Sequence, residues 1–316
     1  MRALITGING FAGSFLAENL LEKGWQVAGT VQPGTGLNNI SHLLDKLTLH
    51  NVDILDIKSV YRAFDNAQYD FIFHLAGASS VKESFNSPQL YINTNIAGGV
   101  NLLETAKNKA PQAKILLVTS GEIYGEALSK DQITTEESRI MPKSPYAVSK
   151  AALDMFGRVY ALASGLKVVI ARPFNHIGPR QSDVFFVPTA AKQIAEIMKG
   201  VRAKKLTLGN LDVFRDFTDV RDIVNAYVLL IEKGKYGESY NICSGKRYLL
   251  KDIIDRLIGI SNEKIEIVID PEKCRKADLI DMKIDNSKLI KETEWRPDID
   301  INRSLKDILT YWEQKI

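Results

Sequence analysis

Short apolar runs alternate with amphipathic stretches along the first half of the chain. Arg2–Ile5 predicts a strand, and Ser14–Lys23, with Leu16, Leu20 and Leu21 on one face, predicts a helix stopped by Gly24. Further strands are expected at Gln26–Val31, Asn51–Ile54, Phe71–Leu75, Ile115–Thr119 and Lys167–Ala171, with a helix at Asn101–Lys109 between two of them. Such alternation predicts an α/β fold: a doubly wound parallel sheet of Rossmann type, covered on both faces. Ser144 as N-cap and Pro145 at the first helical position open a helix that Gly165 should end. After Arg172 the alternation breaks down, which divides the chain into residues 1–172, rejoined by about 212–232, and a smaller α/β lobe from 173–211 and 233–316. The last helix is expected to start at Ser304 and to pack through Leu305, Ile308, Leu309 and Trp312.

Composition narrows the classes. The chain is 45% hydrophobic and 25% charged, as globular chains are, and 41 basic against 38 acidic residues leave +3, too small an excess to point to nucleic acid or an anionic membrane. No apolar run approaches the length that spans a bilayer. Thr6 stands so near the start that no targeting leader is expected. Cys243 and Cys274 form no metal-ligand spacing and read as reduced thiols, so a cytoplasmic enzyme without a metal is expected.

The candidate chemistry begins at Thr6-Gly7-Ile8-Asn9-Gly10-Phe11-Ala12-Gly13. A strand before it and a helix after it are the setting of a dinucleotide fingerprint. Gly7 allows the tight turn, Gly10 lets the pyrophosphate approach the backbone, and Gly13 lets helix and sheet pack closely. A plain glycine turn would share the spacing but not the flanks. At the end of the second strand, Gly29-Thr30-Val31-Gln32 has no carboxylate for a ribose 2′-OH, which tilts the expectation from NAD(H) to NADP(H), although no arginine stands there to hold a 2′-phosphate. Asp53, Ala76-Gly77 and Ser120 lie at strand ends, where ligands bind in such sheets; turn chemistry alone also puts these residue types there. Tyr146 and Lys150, one helical turn apart, suit proton transfer to a ketone, with the ammonium expected to lower the phenol pKa. His176 reads as a loop histidine packed near the cleft.

These motifs together resemble the extended short-chain dehydrogenase/reductase superfamily of nucleotide-sugar enzymes over almost the whole chain. The stretch Arg172–Ser182, Gly209–Asp212 with Arg215–Asp222, and Tyr240–Gly245 resemble the reductases of GDP-4-keto-6-deoxy-D-mannose. The Phe174-Asn175-His176 stretch and His42–His50 also resemble the GDP-mannose 4,6-dehydratases. The resemblance implies cofactor contacts at Gly7, Asn9, Gly10, Phe11, Gly13, Asp53, Ile54, Leu75, Ala76, Gly77, Asn95, Tyr146, Lys150 and Pro173. It implies substrate contacts at Ser79, Ser120, Asn175, Val187, Arg215 and Arg275, where Lys276 replaces the proline the family commonly has next. Tyr146 would donate a proton to the C4 oxygen, Ser120 would orient that oxygen, and the product would be a GDP-6-deoxyhexose, GDP-D-rhamnose foremost. Glu122 would be the C5 base of the rival dehydratase reading; a 4-epimerase and a non-catalytic nucleotide sensor are the remaining alternatives. The resemblance further implies a GDP-sugar as partner molecule and a homodimer or homotetramer.

Overall fold

A computed structural model of the chain describes residues 1–65, 67–125, 132–273 and 282–316. Its centre is a seven-stranded parallel sheet: β1 (Arg2–Thr6), β2 (Gln26–Val31), β3 (Leu47–Asn51), β4 (Phe71–His74), β5 (Lys114–Val118), β6 (Lys167–Pro173) and β7 (Ser239–Ile242). In space the order is β7-β6-β5-β4-β1-β2-β3. The order reverses between β1 and β4, so the crevice beyond their carboxyl ends is the place for a ligand. The strands are apolar because both faces are covered: Leu4, Ile72, Ile115 and Val168 point into one core, Ile5, Phe73, Leu116 and Val169 into the other.

Helix α1 (Phe11–Glu22) starts three residues earlier than its apolar pattern suggests. Its N-cap is Gly10, extended at φ −71° and without a side-chain cap, so the second half of the glycine motif is already the helix N-terminus. Helix α2 (Gly98–Lys109) follows a π-helical stretch, Ile92–Ala97. Helix α3 (Pro145–Ser164) matches its expected bounds: the Ser144 side chain accepts from Ala147 N, and Gly165 ends it at φ 68°.

The strand expected at Asn51–Ile54 lies earlier, at Leu47–Asn51, where it pairs with the β2 edge. Residues beyond it turn because Asp53 Oδ1 accepts from Leu55 N and Asp56 Oδ1 from Lys58 N, satisfying the backbone locally. Residues 239–242, expected in the second lobe, instead form β7 against β6.

A second core lies under helices α4 (Phe186–Met198), α6 (Leu250–Ser261) and α7 (Ile301–Lys315), joining Val187, Ile194, Leu206, Ile254, Leu305 and Trp312. Between α4 and α6 the chain returns to the sheet as α5 (Val220–Lys233), whose Ile223, Val224 and Tyr227 join the first core, while Val213 and Phe217 before it stay in the second. The cap of α7 is Asp300, not Ser304: Asp300 Oδ1 accepts from Asn302 N, while Ser304 Oγ donates to Asp219 Oδ2 at 2.6 Å. Among the described residues no helix is long and apolar enough to cross a membrane.

Candidate active site

The carboxyl ends of β1, β4, β5 and β6 and the inner side of the second lobe enclose a cleft of about 630 Å³. Gly7 turns out of β1 at φ +70°, a left-handed conformation that side chains strain, and a Cβ on it would crowd Ala76 Cα at 3.0 Å. A Cβ on Gly13 would meet Gly7 O at 2.4 Å. Only glycine fits either position. The first-turn N–H groups of α1 open on the same space, since no side chain caps that helix. A bare backbone donor set at a helix N-terminus suits a diphosphate, so these residues fit a nicotinamide dinucleotide.

Several of the sequence-expected residues line the cleft together. On the cofactor side they are Gly7, Gly10, Phe11, Gly13, Leu75, Gly77 and Pro173; facing the sheet edge are Ser79, Ser120, Glu122, Tyr146 and Lys150; from the second lobe come Asn175, Val187 and Arg215. Others build its walls. Thr6 Oγ1 accepts from Leu75 N and Ala76 N at 3.2 and 3.1 Å and pairs with His74 Nδ1 at 2.8 Å. Because the hydroxyl accepts twice, it donates to His74 Nδ1, and burial pushes that imidazole down to about 3, so it stays neutral. Asn95, fully buried, clasps Ala78 by both N–H and C=O and donates to Ser149 Oγ. Asn9 donates to Thr35 Oγ1 and Gly36 O, bracing the turn after β2. Asp53 and Ile54, expected at the cofactor, do not line the cleft: Asp53 Oδ1 accepts from Leu55 N and Ile54 packs against Gly98. Arg275 and Cys274 lie outside the described residues.

Ser120 caps the short Gly121–Tyr124 turn, its Oγ accepting from Glu122 N at 3.1 Å. Tyr146 lines the cleft with it. Burial lifts the Tyr146 phenol to about 12; the nearby Ser120 hydroxyl opposes this, and the Glu122 carboxylate and Tyr91 push it further up. The lowering expected from Lys150 is absent from this balance. Lys150 Nζ is directed to Val118 O at 3.0 Å, and burial brings its own pKa down to about 8. Tyr146 thus stands at neutral pH as a protonated phenol, poised to give a proton rather than to take one. His176 stacks flat on Phe11 at 5.7 Å, its Nδ1–H donating to Phe174 O, and burial lowers its pKa; it is held as a packing group.

Among the cleft residues that the sequence reading gave no role, three stand out. Phe186 opens α4 beside Val187, Asp216 follows Arg215, and Tyr227 enters from α5. Burial raises Asp216 to about 6 although Ser244 N and Oγ and the N–H groups of Gly245 and Lys246 bond to it. Asp216 stood within a quoted motif; Tyr227 looks in the sequence like any buried helix residue.

Sheet order, glycine turn and cleft define a Rossmann-type oxidoreductase that binds a nicotinamide dinucleotide. More narrowly, the chain belongs to the GDP-mannose 4,6 dehydratase family, whose model matches residues 4–308. It is 34% identical over 315 residues to the GDP-6-deoxy-D-mannose reductase of Pseudomonas aeruginosa, covering 100% of this chain and 98% of that one. The structure of RMD from Pseudomonas aeruginosa complexed with NADPH superposes with a TM-score of 0.87 at 33% identity, covering 100% and 99% of the two chains. Thermus thermophilus UDP-glucose 4-epimerase in complex with NAD gives 0.89 at 29% identity, with both chains fully covered.

Proposed function

We propose that the protein reduces the C4 ketone of GDP-4-keto-6-deoxy-D-mannose to a GDP-6-deoxyhexose, GDP-D-rhamnose foremost. The observation that carries this reading is that Tyr146, Ser120 and Lys150, all buried, line one cleft with the glycine turn. The reduced nicotinamide, when bound, supplies the hydride to C4. Ser120 donates to the carbonyl oxygen and fixes its orientation, while Tyr146 gives that oxygen its proton, so a secondary alcohol results. Lys150, whose Nζ donates to Val118 O at the cleft wall, would hold the nicotinamide ribose.

Residues 1–172 with α5, completed by β7, hold the cofactor; residues 212–219, whose Val213 and Phe217 join the second core, stay with the lobe, which holds the GDP-sugar through Asn175, Val187 and Arg215. Arg215 suits the diphosphate because its planar fork matches phosphate oxygens. NADPH is preferred over NADH in this reading, for Val31 and Gln32 at the end of β2 bring no carboxylate against a 2′-phosphate. A cytoplasmic location fits these soluble substrates.

A homodimer would cover the outer face of α3. Val148, Met155, Val159 and Leu162 recur there at steps of seven, four and three and are 49%, 52%, 55% and 80% exposed, the seam a second helix fills.

A second reading has its own observation: Glu122, two residues from Ser120, also lines the cleft and could remove a C5 proton in a 4,6-dehydratase. Paired incubations separate the two. Supplied with GDP-4-keto-6-deoxymannose and NADPH, the purified protein should yield a product heavier by two hydrogens, and GDP-mannose alone should remain unchanged. Loss of water from GDP-mannose without added reductant would establish the dehydratase instead.

A further inference from the structure

We infer that Arg172 is a positioning residue, a buried clamp that sets the relative placement of the three elements carrying Ser120, Glu122, Tyr146 and Lys150. The inference rests on the catalytic reading of those four side chains.

Asp154 stands one helical turn beyond Lys150 on α3, and Arg172 is the residue before Pro173 on β6. Each is 1% exposed, and neither lines the cleft. Arg172 Nε and Nη2 grip the two Asp154 oxygens at 2.8 Å each. Arg172 Nη1 donates to Tyr124 OH at 2.7 Å and to Glu136 O at 3.1 Å. One guanidinium therefore ties the catalytic helix to the short turn that bears Glu122. Thr119, the neighbour of Ser120, closes the figure: its single hydroxyl proton faces both Asp154 Oδ2 at 3.0 Å and Ala171 O at 3.1 Å. Tyr124 OH donates a hydrogen bond to Asn241 Oδ1 at 2.8 Å, which extends the tie to β7.

Stability does not explain this arrangement. A buried ion pair commonly does no better than a well-packed apolar pair of the same volume. An apolar pair, however, is non-directional, and it could not fix the angle between a helix, a strand end and a turn. A planar fork with most of its N–H groups committed can. The chemistry needs that precision, because displacing a proton donor by about 1 Å can cost about a hundredfold in rate.

The test uses the full chain in two forms, Arg172→Lys and the charge-free pair Arg172→Met with Asp154→Leu. Turnover of GDP-4-keto-6-deoxymannose with NADPH, NADPH affinity by fluorescence, and amide exchange over residues 121–125 are measured on each. In the charge-free pair, kcat should fall about a hundredfold with KM and NADPH affinity nearly unchanged, and the 121–125 amides should exchange faster. Lysine keeps the charge but cannot reach Asp154, Tyr124 and Glu136 at once, so Arg172→Lys should lose about tenfold in kcat and leave KM in place. Wild-type kcat and wild-type exchange in the charge-free pair would overturn the inference. Should that pair fail to fold, full kcat in Arg172→Lys would overturn it equally. A wild-type protein that turns over neither GDP-sugar refutes the proposed function, and the exchange measurement still decides the clamp.

Discussion

The two sides of the cleft are built differently. The sheet side consists of long parallel strands and the 20-residue helix α3, and it holds Ser120 at 6%, Lys150 at 6% and Tyr146 at 9% exposure. The lobe side consists of fragments: His176–Ile177 pairs with Thr218–Asp219, and Phe214–Asp216 with Arg247–Leu249. A rigid, dry sheet edge can fix reacting groups, whereas short paired segments on a separate core can vary without disturbing it. That division accounts for how one scaffold superposes on proteins named as a reductase and as a 4-epimerase. The sheet side should govern kcat and the lobe side KM.

The largest effect expected is from Tyr146→Phe, which removes the proton donor: kcat should drop about 10²–10⁴-fold while NADPH still binds as in the wild type. Near-normal turnover in that variant would dissolve the assignment. On the lobe side, Arg215→Ala should raise the KM for the GDP-sugar about ten- to a hundredfold, the worth of charge-assisted hydrogen bonds, and leave kcat alone. A loss confined to kcat would erase the contrast between the two sides.

The pH dependence sharpens it further. With Lys150 brought to about 8, its ammonium is lost above that pH, and kcat/KM should fall about tenfold per unit there; a profile flat to pH 9.5 would contradict this. The sign for stability is the reverse. A lysine whose folded pKa lies below its ordinary 10.5 costs stability fully below pH 8, and that cost fades as pH rises to 10.5. Lys150→Met should therefore raise Tm at pH 7 while reducing turnover, which thermal melts of the two proteins would check. The smallest effect is Glu122→Gln, expected to lower reduction by less than about fivefold, because a reductase takes no proton from C5.

Legibility in the sequence follows the same line. Helix α3 was readable from Ser144 to Gly165 because cap, proline and glycine are local signals, and the glycine turn because backbone sterics at Gly7 and Gly13 admit nothing else. The β3 strand was misplaced because Val52 and Ile54 look strand-like while the Asp53 and Asp56 side chains hold the backbone in turns. On the lobe side, strands of two or three residues carry no measurable period, so Asp216 could not be placed in the cleft with Arg215, and α4 begins without a side-chain cap that would have set Phe186 beside Val187. Nor could the Asp154–Arg172 pair, since a charged residue on a helix and another on a strand reveal their partnership only when folded. The apparent cap at Ser304 is a reminder that a motif can be reused: its hydroxyl serves Asp219 across the fold.

The most direct measurement follows the hydride. With NADPH carrying deuterium at both nicotinamide C4 positions and GDP-4-keto-6-deoxymannose as substrate, the expected product is a GDP-6-deoxyhexose bearing one deuterium, on sugar C4. Recovery of the keto-sugar unreduced and unlabelled, with no NADPH consumed, would contradict the assignment, and water loss from GDP-mannose in a parallel sample without reductant would move Glu122 to the centre of the chemistry.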